Sequence, residues 1–212
     1  MAQILEHEAL RILGENGLDV PEFVVAVSAA EAAKATAAFG GESVLKALIP
    51  TTGRAAAGAV RIARSAEEAW TIAEGLLGEK VLGFRVDRVL VCRLVEAEWE
   101  ISVLFAPDPE TAKPTLFASA LGGIDISEVV RRDPGALVRR SIEAEAGVSP
   151  VAVREVALEL GLGAEEAEAL IPALQSMYRV FVRLDARMLE INPLMIGSDR
   201  AIVAPTATLV LN

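Results

Sequence analysis

Two groups of residues in this 212-residue chain have the types and spacing to do chemistry. Near the end, Glu190 and Asn192 stand two apart in Leu189-Glu190-Ile191-Asn192-Pro193-Leu194. On an extended backbone both side chains then point to one face. Both offer oxygen, the donor that a hard cation such as Mg²⁺ takes alongside phosphate oxygens and water. Pro193 has no backbone N–H and is expected to end regular strand pairing there. The second group runs from Lys46 through Gly53, Arg54 and Gly58 to Arg61. It reads as a strand that ends in a loop of small residues with one arginine and enters another strand. Loops of this kind let backbone N–H groups approach a phosphate, because glycine has no Cβ. An ordinary hairpin between two strands is the alternative reading.

The elements that must hold these groups follow from periodicity and turn signals. Residues Gln3 to Asn16 show a helical apolar pattern stopped by Gly17, and Val20 to Val27 a strand. Ser28 and Glu31, then Ser65 and Glu68, have capping-box spacing, opening helices that run to about Phe39 and Gly78. Ser43–Ile49 and Ala59–Ala63 read as strands between them, as do Val86–Val95, Trp99–Ala106 and Pro114–Ala120 further on. Pro107-Asp108-Pro109-Glu110 is a breaker. Helices are expected over Pro150–Leu160 and Ala164–Leu184, where Pro172 either kinks the second helix or marks its first turn. Strands around Met188–Ile191, Ile202–Ala204 and Thr208–Leu211 complete an α+β chain.

Composition narrows the function classes. With 53% apolar residues the chain can bury a core, and its net charge of −10 argues against a nucleic-acid footprint, which needs a basic face. No apolar run approaches the length of a membrane span, and the first residues lack the basic stretch of a signal peptide. A single cysteine, Cys92, excludes an intrachain disulfide and fits a reducing, cytoplasmic location. Cys92 lies in Val89-Leu90-Val91-Cys92-Arg93-Leu94-Val95, a buried-strand pattern in which it serves as a small core hydrophobe. His7 is the one histidine and reads as a solvated residue of the N-terminal helix. One histidine and one cysteine cannot fill a zinc sphere, and the placement of His7 offers no nucleophile–base dyad.

Four segments together resemble the ATP-grasp domain of succinyl-CoA synthetase beta subunits and related ADP-forming acyl-CoA ligases. Leu189–Leu194 resembles that family's E-I-N-P-L stretch, and the segment from Val44 to Val60 aligns without gaps with V-V-K-x-Q-V-x-A-G-G-R-G-K-A-G-G-V. Val89 through Glu100 is similar to I-L-V-E…K-E-L-Y, and Leu116 through Ser127, with Gly122, Gly123 and Asp125, to V-F-x-A-S-T-E-G-G-V-E-I-E. The resemblance covers essentially the whole chain. It implies one ATP-grasp domain over residues 1–212, with two lobes of mainly antiparallel sheet and packed helices. The smaller lobe would span about 20–95 and the larger about 1–19 plus 96–212, with ATP between them. On this reading the chain would lack the CoA-ligase domain that the family's full beta subunit adds.

The same resemblance assigns roles. Lys46, Gly53, Arg54 and Glu100 would bind ATP or ADP, while Asn192 and Glu190 would hold its Mg²⁺. For Glu100 the alternative is a solvent-facing strand carboxylate. Three loop glycines of the family pattern are Thr52, Ala55 and Ala59, and four further positions lose a polar or charged group: the loop lysine is Ala56, the hinge glutamate Cys92, the glutamate before the paired glycines Leu121, and the second metal-binding Asp is Pro205. Two functions therefore stay open. One is the nucleotide-binding component of an ADP-forming acid–CoA ligase of the succinate type, passing phosphoryl groups between MgATP and a phosphohistidine. That histidine would belong to an alpha-type CoA-binding subunit, and the partner that completes the enzyme would be that subunit or a separate CoA-ligase domain. The other is a degenerate, catalytically weak or inactive domain that serves as a regulatory or assembly partner. Self-association into a homo-oligomer is compatible with both.

Overall fold

The computed structural model describes residues 2–124, 126–143 and 146–212. In chain order they form β1 (Ala2–Ile4), α1 (Glu6–Glu15), β2 (Phe23–Ala26), α2 (Ala29–Ala38), β3 (Ser43–Ala47), β4 (Val60–Ala63) and α3 (Ala66–Leu76). A hairpin of β5 (Lys80–Val81) and β6 (Phe84–Arg85) follows, then β7 (Val89–Arg93), β8 (Trp99–Pro107) and β9 (Pro114–Ser119). The rest comprises α4 (Ile126–Arg132), a 3₁₀ turn at Pro134–Ala136, β10 (Val138–Ser141), α5 (Pro150–Glu159) and α6 (Ala164–Arg183). Strands β11 (Ala186–Ile196), β12 (Ile202–Val203) and β13 (Thr208–Leu211) close the chain. The described strands pair antiparallel, so the α+β expectation holds.

The chain divides into two compact units, one of Leu5–Glu8 with Pro21–Val95, the other of the residues up to Ile4 with Ala9–Val20 and Glu96–Asn212. The short segment Leu5–Glu8 thus belongs with the smaller unit, whereas the sequence reading grouped all of residues 1–19 with the larger. In the smaller unit the sheet order is β2-β7-β3-β4. One face carries Ala26, Leu45, Ala47, Val89 and Val91, packed with Ala32, Ala35, Ala69 and Ala73 of α2 and α3. Alanine at these helix positions gives contact without bulk, which explains how an aromatic-poor sequence still fills its core. Both capping boxes form: Ser28 Oγ accepts from the Glu31 N–H at 3.3 Å, and Ser65 Oγ from the Glu68 N–H at 3.2 Å. The two glutamates reach back one residue beyond the caps, accepting from the N–H groups of Val27 and Arg64.

In the larger unit the sheet runs β1-β13-β11-β8-β9-β10, with β12 also on β11. Its buried face presents Ile101, Val103, Phe105, Leu189 and Ile191, each at most 1% exposed. Helix α6 covers this face, and Phe105 meets the rings of Tyr178 and Phe181 at centroid distances of 5.5 and 6.1 Å. Alternation then sends Glu100, Ser102, Glu190 and Asn192 to the opposite face.

Several sequence expectations are corrected. The N-terminal helix begins at Glu6, because Ala2–Ile4 pairs with Leu209–Leu211 as an edge strand. Pro172 lies inside α6, which starts at Ala164, so it does not mark a first turn. Pro193 does not end the pairing of β11: after a register shift between Ile191 and Leu194 the ladder to β8 resumes at Leu194 opposite Ile101. Helix α4 and strand β10 lie in a stretch where the sequence offers no clear period.

Candidate functional site

Strand β3 alternates Leu45 and Ala47 into the core, so Lys46 emerges on the other face of the sheet. The segment after β3 turns at Gly53 and Gly58, both with positive φ (75° and 70°), a backbone that side chains rarely tolerate. Between them Arg54 folds back, donating from Nη1 to the Ala47 carbonyl at 3.1 Å. Its Nη2 lies 2.5 Å from Oε2 of Glu6, while Oε1 of the same carboxylate takes the Lys46 ammonium at 2.7 Å. One carboxylate thus bridges both cations, and all three groups are nearly out of water, with side-chain exposures of 2%, 7% and 11% for Glu6, Lys46 and Arg54. Burial opposes the charge on Glu6, yet Lys46 and Arg54 outweigh it and hold the carboxyl below its ordinary range. Each cation thus holds one oxygen of a shared carboxylate.

Glu6 is the participant that sequence reading missed. It reads there as one more polar residue of an amphipathic helix, and no local signal says that the first turn of α1 faces Lys46. The pairing is 40 residues distant in the chain, and only the fold supplies it.

On the polar face of the larger sheet, the register shift leaves Asn192 and Pro193 together opposite Ser102. The bulge turns the Asn192 carboxamide toward the loop of Leu121–Ile124. Its Oδ1 receives the Gly123 N–H and the Ser102 hydroxyl, each at 2.7 Å. Its Nδ2 donates to the Ile124 carbonyl at 2.7 Å and to Glu190 Oε1 at 3.3 Å. Donors on one side and acceptors on the other fix the orientation of the amide. The single Ser102 hydrogen is shared with the Leu121 carbonyl at 3.0 Å. Gly122 lies flat against Glu100: its N–H bonds to the Glu100 carbonyl at 3.2 Å, and a Cβ there would meet the Glu100 backbone carbon at 2.6 Å.

The sequence-predicted residues therefore fall into two sets. Lys46, Gly53 and Arg54 share one cluster in the smaller unit, and Glu100, Glu190 and Asn192 one sheet face in the larger. For Mg²⁺ the donor chemistry fits in part. Glu190 presents a half-buried carboxylate on that face, whereas the Asn192 oxygen already accepts from two donors. Among the described residues no group of three His, Cys, Asp or Glu side chains is gathered for a metal. Asp125 of the paired-glycine segment lies outside the described residues.

His7 is 8% exposed, so the solvated histidine of the sequence reading is instead buried on the inner side of α1. Cys92 is 1% exposed and free, as its strand pattern suggested. Burial pushes its thiol up to about 11. The thiolate is the reactive form. Alkylation of the native chain by iodoacetamide at pH 8 is accordingly expected to run at least about a hundredfold slower than that of the urea-unfolded chain. Comparable rates, read by mass spectrometry, would place the thiol at the surface.

No described helix is long and apolar enough to cross a membrane. Two units of antiparallel sheet and packed helices, one with buried cations at a glycine loop and one with carboxylates on a strand face, make up this α+β chain. The chain belongs to the ATP-grasp domain family, which matches residues 3–196. It is 35% identical over 209 residues to the beta subunit of an ADP-forming succinate–CoA ligase from Rubrobacter xylanophilus, covering 99% of this chain and 55% of that protein. The corresponding subunit from Ignicoccus hospitalis is 35% identical over 201 residues, covering 95% of this chain and 53% of that one. The chain thus spans about half the length of the curated relatives it matches. Among solved structures, an acetyl-coenzyme A synthetase of Ca. Korarchaeum cryptofilum in complex with coenzyme A and Ca-AMPCP superposes with a TM-score of 0.76 at 22% identity. It covers all of this chain and 94% of that one. An ATP citrate lyase from Methanothrix soehngenii in complex with citrate and coenzyme A gives a TM-score of 0.73 at 18% identity, over all of this chain and 51% of that one. At these identities the structural likeness speaks for the fold.

Proposed function

We propose that this chain is the nucleotide-binding component of an ADP-forming acid–CoA ligase and acts with an alpha-type CoA-binding subunit or a separate CoA-ligase domain. The observation that carries this reading is the convergence of Lys46 and Arg54, brought together by a glycine-turned loop in a family whose relatives are ligase beta subunits. Both cations are donors suited to phosphate oxygens, the guanidinium through its planar fork and the ammonium as a point charge. Glu190 would give one carboxylate oxygen to the Mg²⁺ carried by the nucleotide, and Glu100 shares its face. When bound, that ion neutralises phosphate charge. Phosphoryl transfer depends chiefly on positioning and charge neutralisation, and these residues supply both. The acceptor histidine would come from the partner, since His7 is buried.

A second reading is favoured by the internal commitments of the same groups. Glu6 already engages both cations, and the Asn192 amide is tied into its own loop. Together with Ala56, Cys92, Leu121 and Pro205, this fits a domain kept for assembly or regulation, with weak turnover or none. Calorimetric titration with ATP and ADP, with and without Mg²⁺, separates the two. Micromolar, Mg²⁺-dependent binding is the outcome expected of a ligase component. No heat up to millimolar nucleotide would leave the assembly reading.

A further inference from the structure

We propose that Glu6 is an internal counter-ion of the phosphate site, holding Lys46 and Arg54 when the site is empty and exchanged for phosphate oxygens when a polyphosphate binds. The inference rests on the ligand-binding reading above and adds a residue that sets the strength of that site. Its basis is geometric. The two oxygens of one carboxylate each contact a different cation, Oε1 on Lys46 and Oε2 on Arg54. Two oxygens of one phosphoryl group can present the same bridging pattern. Glu6 comes from outside the sheet and the loop that carry the cations, as the first residue of α1, so its side chain can leave without disturbing β3.

The need for such a residue follows from burial. Two cations this far out of water are costly without a compensating anion. Glu6 supplies it, and its carboxyl is held below the ordinary range by those same neighbours, so it is charged at neutral pH. The consequence for binding is a competition. An incoming polyphosphate gains two cations but must replace an anion already seated on them, so the affinity is lower than the bare pair would give. Removing the carboxylate charge takes one negative charge away from the two cations. The attraction for an anion then rises.

The test is calorimetric titration of the full chain with inorganic tripolyphosphate, free of Mg²⁺, for wild type, Glu6→Gln, Lys46→Ala and the Glu6→Gln/Lys46→Ala double variant. Glu6→Gln is expected to bind at least about tenfold tighter than wild type. In the Lys46→Ala background the same change is expected to give a smaller gain, because one of the two cations that the Glu6 carboxylate contacts is missing. Equal or weaker binding by Glu6→Gln, with Lys46→Ala still weakened, would overturn the counter-ion role and leave the phosphate site standing. Tripolyphosphate binding that is the same in wild type and Lys46→Ala would instead remove the site itself. Should Glu6→Gln not fold, Glu6→Asp keeps the charge but shortens its reach. That variant is expected to bind tighter than wild type by a smaller factor, and binding no tighter than wild type would overturn the proposal.

Discussion

Gly122→Ala is expected to lower the stability of the larger unit by about 3 kcal/mol, the upper range for forcing one methyl into a packed position. A Cβ at this position would lie 2.6 Å from the Glu100 backbone carbon and 2.7 Å from its oxygen. Both are main-chain atoms of a paired strand and cannot rotate aside. The loop must lift, and with it goes the Gly123 N–H that Asn192 accepts and the Ile124 carbonyl to which it donates. Gly123→Ala is the control, since its φ is +78° but a Cβ there meets nothing within 4 Å. It should cost only the left-handed backbone, about 1 kcal/mol. Urea unfolding of both variants measures the difference. A Gly122→Ala loss no larger than that of Gly123→Ala would mean that the loop yields freely and that Asn192 does not hold it.

Glycines of this kind show how far the sequence could be read. The pair Gly122-Gly123 marks a turn in any sequence, but only the folded chain tells that one glycine is needed for its φ and the other for its lack of a side chain. The elements were legible where a local rule governs them. Ser28 and Ser65 cap helices because their hydroxyls lie three residues ahead of an unpaired N–H, a matter of adjacent residues alone. Strand β8 and helix α6 follow from alternation and from a long 3.6-residue period. The Asn192-Pro193 bulge was not legible, because a proline without an N–H can equally end a ladder or sit in a gap between two paired segments. Here the register on both sides, Ile191 to Val103 and Leu194 to Ile101, keeps the strand in the sheet.

The candidate site divides in the same way. Lys46 and Arg54 are visible as cations beside a glycine loop, and Glu190 and Asn192 as oxygen donors two apart. Their electrostatic state is not visible, because it depends on Glu6, which arrives from the N-terminal helix. A cation read from sequence as free for a ligand is already engaged in the fold. The same holds for the Asn192 oxygen, whose two donors come from β8 and from the loop after β9. Long-range partners of this sort decide whether a recognisable residue is available, and no spacing rule reports them.

Lys46→Ala carries the second large effect, and it acts on binding and on stability at once. Loss of the ammonium is expected to weaken ATP binding by about a hundredfold, in line with the several kcal/mol attached to one buried charged contact on a phosphate. It should also abolish the nucleotide-dependent activity of a ligase reconstituted with its partner. Unchanged turnover there would sink the ligase reading of this residue. The same substitution removes one of the two partners of a buried carboxylate, which typically costs about 3 kcal/mol. The pH dependence separates this cause from simple loss of packing. In the fold the Glu6 carboxyl is held below the ordinary value of 4.5, so the stability it contributes is full above that value and is lost as pH falls through its folded value. The stability gap between wild type and Lys46→Ala should therefore be widest near neutral pH and narrow in acid. A gap that stays constant from pH 7 to below the ordinary carboxylate range would show that Lys46 contributes through its aliphatic stem and not through its pairing with Glu6.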